Sequence, residues 1–243
     1  MIAKGNRPRI VVVTGASAGI GRALAECFAR GGDSVVAIAR SNAKLDTLIR
    51  KLMSAGRDGT AYVCDLRDEE AVERTFRSIQ RRVGPIDILI NNAGVTRFKS
   101  FSETSLRDFE EILETNLRAL FLTTKAVLPV FLKRKRGHII NVLSFAAKKT
   151  YVNSSVYAGS KSGAAAMMDA LREEVRSRGI QVMNVYPGAV LTRMWPRKIR
   201  HSHAARMIDP RIIAGAVFEA TKLPSSATIE ELVIRPERGD VNA

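Results

Sequence analysis

The sequence predicts an α/β protein whose core is a seven-stranded parallel sheet covered by helices on both faces. Two observations carry that expectation: seven short, continuous apolar blocks recur along the 243 residues, and stretches with helical apolar spacing separate them. A strand buried on both faces needs such a continuous apolar block. Strands separated by helices pair in parallel through right-handed crossovers.

In chain order, Ile10 to Val13 forms the first block, and Ile20, Leu24, Cys27 and Phe28 follow it at helical spacing. Ser34 to Ala39 is the second block, trailed by Leu45, Leu48, Ile49 and Leu52. After Ala61 to Cys64 comes the stripe Val72, Phe76, Ile79 and Val83, and after Ile86 to Ile90 the stripe Phe109, Leu113, Leu117 and Leu120. The last three blocks are His138 to Leu143, Ile180 to Val185 and Ile229 to Ile234. Each helical stripe must cover a sheet. The expected architecture is therefore a doubly wound Rossmann fold, a three-layer sandwich. No linker or repeat divides residues 1–243, which predicts one catalytic domain.

Composition removes several function classes. The basic stretch Met1 to Arg9 runs into an apolar block too short for a signal-peptide core or a membrane span, so a cytoplasmic protein is expected. Cys27 and Cys64 give no support for a disulfide framework or a zinc site, and no metal is expected. The net charge of +15 permits polyanion binding. Basic residues are nevertheless scattered over nearly every helix, and the densest run, Lys133 to Arg136, falls at a helix end where cations complement the dipole. No specific nucleic-acid partner is expected.

The first strand ends in Thr14-Gly15-Ala16-Ser17-Ala18-Gly19-Ile20-Gly21, leading directly into a helix. Glycines let backbone approach a pyrophosphate, and free N–H groups at the helix start stabilise its charge. The spacing is not G-x-G-x-x-G, and a turn that needs glycine only for its backbone angles is the other reading. The second strand ends in Arg40, where an acid would accept bonds from the ribose of NAD. A guanidinium there favours the 2′-phosphate of NADP, with Arg22 near enough in sequence to assist, unless Arg40 is simply an exposed strand-end arginine.

Tyr157 and Lys161 stand four residues apart in a helical segment beginning near Ser154, which places them on one face. A phenol of pKa about 10 is a poor acid–base group at neutral pH unless a cation stabilises its phenolate. A surface pair is the alternative. Ser144 follows the fifth strand at the carboxyl edge of the sheet, where ligands of such folds bind. Asn116 sits on the stripe of the fourth helical stretch, where an amide needs buried partners, backbone groups among them.

The glycine turn, Asn91-Asn92-Ala93-Gly94, Ser144, Tyr157-x-x-x-Lys161 and Pro187-Gly188 together resemble the classical short-chain dehydrogenase/reductase family, in its order and at its usual separations over nearly the whole chain. The resemblance implies an NADP(H)-dependent oxidoreductase that moves a hydride between the cofactor and a carbonyl or alcohol. Tyr157 would protonate the substrate oxygen, and Ser144 would orient it. Lys161 would lower the tyrosine pKa and hold the nicotinamide ribose, and Asn116 would anchor a water of a proton relay. It assigns the phosphates to Gly15, Ser17, Gly19, Ile20 and Gly21, the adenine side to Asp65 and Leu66, the ribose region to Asn92, and the nicotinamide amide to Val190 and Thr192.

Substrate identity lies in the loops after the fourth to sixth strands, where Val95, Phe98, Phe145, Tyr151, Met194 and Trp195 suggest an apolar pocket with aromatic walls. A short lid is expected near 193–211, a segment with six arginines and lysines against Asp209. The ending Ile234-Arg235-Pro236-Glu237-Arg238-Gly239-Asp240 departs from the glycine-rich apolar tail usual in β-ketoacyl carrier-protein reductases. It is more similar to small bacterial carbonyl reductases of sepiapterin-reductase-like and hydroxy-acid dehydrogenase-like kinds. A dinucleotide-binding regulatory protein that holds an acidic partner on its basic surface is the reading from another class. The resemblance further implies a homodimer or homotetramer.

Overall fold

The computed structural model describes residues 7–224 and 226–241; part of the basic N-terminal stretch, Met1 to Asn6, lies outside the described residues. Seven strands form one sheet: β1 (Ile10–Thr14), β2 (Ser34–Ala39), β3 (Gly59–Val63), β4 (Ile88–Asn91), β5 (Gly137–Val142), β6 (Ile180–Pro187) and β7 (Glu231–Ile234). Their order is β3-β2-β1-β4-β5-β6-β7, and every pairing is parallel. This is the doubly wound Rossmann architecture.

Alternation along each strand splits the core in two. Val11, Val13, Val35 and Ala37 face α1 (Gly19–Arg30), α2 (Asn42–Ser54) and α8 (Pro210–Ala220), where Leu24, Phe28, Leu45 and Val217 meet them. Val12, Val36, Leu89 and Ile139 face the other layer, built from α3 (Glu69–Arg82), α5 (Ala119–Arg134) and α6 (Ser155–Val175). Strand order reverses between β1 and β4, so their carboxyl ends splay apart and leave a crevice there.

The sequence-based boundaries need adjustment at particular places. β4 begins at Ile88, although Asp87 just before it already donates its amide to the Ile10 carbonyl at 2.9 Å, accepts the His138 amide at 3.0 Å, and turns its carboxylate onto the Ile10 N–H at 3.0 Å. β7 starts at Glu231 and is only half-buried, being the last strand on its edge. The stripe after β4 is displaced from the expected one: α4 (Leu106–Leu113) runs into a π turn, Glu114–Arg118, before α5, and Ile112, Asn116 and Leu120 are buried while Phe109 is exposed. Two short elements, α7 (Arg197–His203) and the 3₁₀ turn Ala204–Arg206, occupy the segment expected to form a lid.

The basic run at the end of α5 does more than complement a dipole. Arg134 donates to the Ile86 carbonyl at 2.7 Å and to Asp87 at 2.8 Å, and Arg7 reaches the same carboxylate at 3.0 Å. Burial would raise the Asp87 pKa, but the Ile10 amide, Arg134 and Arg7 outweigh it and hold the carboxyl below its ordinary value. Because that pKa is lowered on folding, the stabilisation is complete above the ordinary carboxylate value and is lost as pH falls through the folded one. Asp87→Ala is expected to cost about 3 kcal/mol at pH 7, read by denaturant unfolding. The difference from wild type should shrink below about pH 4.

Candidate active site

A cavity of about 1070 Å³ runs along the carboxyl edge of the sheet, centred on the crevice between β1 and β4. One end is formed by the glycine turn. Gly15 and Gly19 adopt φ of +66° and +55°, a region that favours glycine. A Cβ on Gly21 would stand 2.3 Å from Asn92 Nδ2 and 2.4 Å from the Gly15 carbonyl, so the turn packs backbone on backbone. Thr14 holds the opposite lip: its hydroxyl accepts the amides of Asn92 and Ala93 at 2.9 and 3.1 Å and donates to the Ile90 carbonyl at 3.2 Å. At the start of α1, Ala18 provides no side-chain cap, and the first turn has no acid. The amides there are left to bind an anion.

Of the residues expected at this end, Gly15, Ser17, Gly19 and Ile20 line the cavity, and Gly21 supports it from behind. Arg40, Asp65, Leu66 and Asn92 line it further along. Asp65 is gripped by Arg67, whose side-chain hydrogen bond leads the causes holding its carboxyl below the ordinary value. Arg22 corrects the sequence reading. Its guanidinium turns along α1 to Glu26 at 3.0 Å, and Lys51 occupies the other oxygen of the same carboxylate at 2.8 Å. Lys44 stands in the cavity wall beside Arg40 and Ser41 instead.

The other half of the cavity contains Ser144, Tyr157 and Lys161, with Val190 and Thr192 between the two halves. Tyr157 and Lys161 sit one turn apart near the start of α6, as the i, i+4 spacing requires. Ser144 caps the 3₁₀ turn Phe145–Ala147, where its oxygen accepts the Ala146 amide at 3.1 Å. Burial pushes the Tyr157 phenol up, and a hydrogen bond from Ser144 pulls it back. Lys161 is buried and donates to the Val142 carbonyl at 3.0 Å. Desolvation of its ammonium lowers its pKa to about 8.

Asn116 lies behind the cavity wall. Its side-chain oxygen accepts the Val95 amide at 2.8 Å, while its nitrogen donates to the Val95 carbonyl at 2.9 Å and to Ser160 at 3.0 Å. Ser160 in turn donates to the Tyr157 carbonyl at 2.7 Å. The amide therefore ties the loop after β4 to the turn of α6 that carries the phenol. Gly94 lets that loop pass close by, since a Cβ there would lie 3.3 Å from Asn116 Oδ1 and 3.4 Å from Lys161 Nζ.

A phenol, a serine hydroxyl and a buried ammonium thus face one cavity, beside a glycine turn at an uncapped helix start. A profile described as short chain dehydrogenase matches residues 9–202. The chain belongs to that family. It is 35% identical over 239 residues to a sepiapterin reductase of Chlorobaculum tepidum, covering 96% of this chain and 98% of that one. It is likewise 35% identical over 217 residues to a 3-oxoacyl-(acyl-carrier-protein) reductase of Vibrio harveyi, covering 86% and 88%. Among solved structures, a metagenomic short-chain oxidoreductase in complex with NADP superposes with a TM-score of 0.83 at 31% identity, over 94% of this chain and 96% of that one.

Within this short-chain dehydrogenase, three residues escaped the sequence reading. Lys44 and Ser41 flank Arg40 closely enough in sequence to have been suspected. Arg97 faces the cavity between Thr96 and Phe98 but is held by Glu111 at 2.7 Å, a partner fourteen residues away that no local pattern announces. Phe98 and Trp195, expected as aromatic walls, stack on one another with centroids 5.0 Å apart.

Proposed function

We propose that this chain is an NADP(H)-dependent carbonyl reductase acting as one catalytic domain, with Tyr157 as the acid and residues 193–211 as a substrate lid. The observation that carries the reading is the placement of Tyr157, Ser144 and Lys161 in the same cavity as the glycine turn. The residues present fit the cofactor. The uncapped helix start and the glycine turn suit its pyrophosphate, and Arg40 with Lys44 suits a 2′-phosphate. When bound, the reduced nicotinamide supplies a hydride to the carbonyl carbon.

The chain's own residues then manage the proton. Ser144 donates a hydrogen bond to the substrate oxygen and holds it against the Tyr157 hydroxyl. Tyr157 gives its proton to that oxygen as negative charge develops there. The phenolate left behind is stabilised by the ammonium of Lys161, which the surrounding low dielectric strengthens. Asn116 keeps the loop after β4 and the start of α6 in register, and so fixes the phenol's position. A carrier-protein substrate is the less favoured reading, because the C-terminal tail differs from the one usual in those reductases. A purely regulatory role is disfavoured by the complete proton-donating set.

We also propose a homodimer or homotetramer, since Leu106, Phe109 and Phe121 expose large apolar side chains along α4 and α5. Sedimentation velocity is expected to show a particle at least twice the monomer mass; a single monomeric species rejects assembly.

Tyr157→Phe is expected to lower kcat for ketone reduction by about 1000-fold or more while changing the NADPH dissociation constant less than about threefold. Retained turnover rejects the acid assigned here. The pH profile tests Lys161 separately. Its pKa of about 8 means that the stabilising charge is present below that value and lost above it. The rate of reduction should therefore fall by up to about tenfold per pH unit on the alkaline side. A flat profile from neutrality to about pH 9.5 would remove Lys161 from the mechanism.

A further inference from the structure

Beyond β7 the chain does not leave the molecule but crosses the mouth of the cavity. The Gly188 amide donates to the Ile234 carbonyl at 2.8 Å, and the next residues lie on Gly188 so closely that a Cβ there would meet Pro236 Cδ at 2.8 Å. Arg235 lies over the Phe145 ring, 4.1 Å from its centroid. A turn closed by Gly239, with φ of +79° and its amide on the Pro236 carbonyl at 3.0 Å, then delivers Asp240 and Val241 to the cavity wall.

Asp240 gathers donors from several segments. Its carboxylate takes Lys149 at 2.7 Å and Arg235 at 2.8 Å, and its main-chain carbonyl takes Arg206 at 3.0 Å. The Tyr151 hydroxyl is pushed up to about 12 by burial and, after it, by a hydrogen bond to Asp240. Val241 is buried against Ala189 and Met207, with Trp195 and Ile199 packed on the same cluster. Lys149 and Tyr151 belong to the loop that starts at Ser144, whereas Arg206, Met207 and Trp195 belong to the segment 193–211. One dipeptide at the end of the tail therefore joins both sides of the cavity mouth.

An exposed ion pair contributes little, and Lys149 is half-exposed. The carboxylate itself is only 11% exposed, however, and without it Lys149 and Arg235 would confront one another as like charges. The tail's hold thus depends on that one group together with the burial of Val241. We propose that Asp240 is a positioning residue for substrate specificity: by clasping the tail between the loop after β5 and the segment 193–211, it fixes the outer wall of the substrate chamber and limits the bulk of the carbonyl compound admitted. This rests on the reductase reading for its consequence, though not for the clasp.

The test compares wild type with Asp240→Ala, Asp240→Glu and a chain ending at Gly239. Three measurements are made: kinetics on ketones of increasing bulk, NADPH binding by fluorescence, and amide hydrogen exchange in segments 145–152 and 193–211. For Asp240→Ala and the shortened chain, KM for small ketones should rise about tenfold with kcat within about twofold. The preference for bulky over small ketones should rise about tenfold as the wall gives way. Exchange should quicken about tenfold in both segments, Asp240→Glu should restore most of the protection, and NADPH affinity should not move. Unchanged exchange, quickening in only one segment, or an equal loss for every ketone overturns the clasp. If wild type reduces no ketone at all, the reductase reading fails, and hydrogen exchange still decides whether Asp240 joins the two segments.

Discussion

A buried ammonium is costly unless its protons are satisfied and its field is used, and the arrangement around Lys161 follows from that constraint. The Val142 carbonyl at the end of β5 accepts one of its protons, which fixes the side chain across the layer between helix and sheet. A Cβ at Gly94 would crowd Asn116 Oδ1 and Lys161 Nζ at 3.3 and 3.4 Å, so its absence eases the close passage of the loop after β4, and Asn116 holds that loop through both polar atoms of Val95. The same asparagine reaches Ser160 one residue before the lysine, so helix and loop are set by a single amide. This amide is the buried residue of the π turn Glu114–Arg118.

Beneath the site, a second polar chain keeps the strands in step. Asn91, Asn141 and Asn184 occupy matching register positions on β4, β5 and β6 and bond to one another side chain to side chain at 3.1 and 2.9 Å. Thr123 and Thr124 of α5 close one end, and Asp169 of α6 closes the other. Buried amides satisfied in this way resist displacement, since a slip of one residue would strand each of them against apolar neighbours. The strands so locked are those whose ends present Asn92, Ser144 and Pro187, which converts register into site geometry.

This also explains which features were legible in the sequence. Strands β1, β2 and β5, fully buried on both faces, leave unbroken apolar blocks, and the glycine turn and the Tyr157–Lys161 spacing are fixed by local geometry. β7 was drawn too long because an edge strand carries no such continuous burial. The π turn at Glu114–Arg118 could not be foreseen, because such a turn adds a residue without requiring any residue type. Arg22 was misassigned for a different reason: nearness in sequence to the turn says nothing about which way a helical side chain leans, and Glu26 one turn on claims it. Arg97 and Asp240 depend on partners that only the tertiary fold supplies.

The excess of basic residues takes on meaning only when sorted by partner. Arg7, Arg9, Arg134 and Arg176 serve carboxylates elsewhere in the molecule and are committed to holding it together. Arg40, Lys44 and Arg193 line the cavity and form no ion pair among the described residues. Unpaired cations along a concave, low-dielectric wall raise the local concentration of anions far more than the same charges spread over an open surface. Net charge alone therefore pointed to polyanions of any kind. Arg81, Arg82, Lys133 and Lys135 also form no ion pair among the described residues but stand on the open surface, so it is the concave wall around Arg40, Lys44 and Arg193, and not pairing alone, that separates a cofactor site from a nucleic-acid surface.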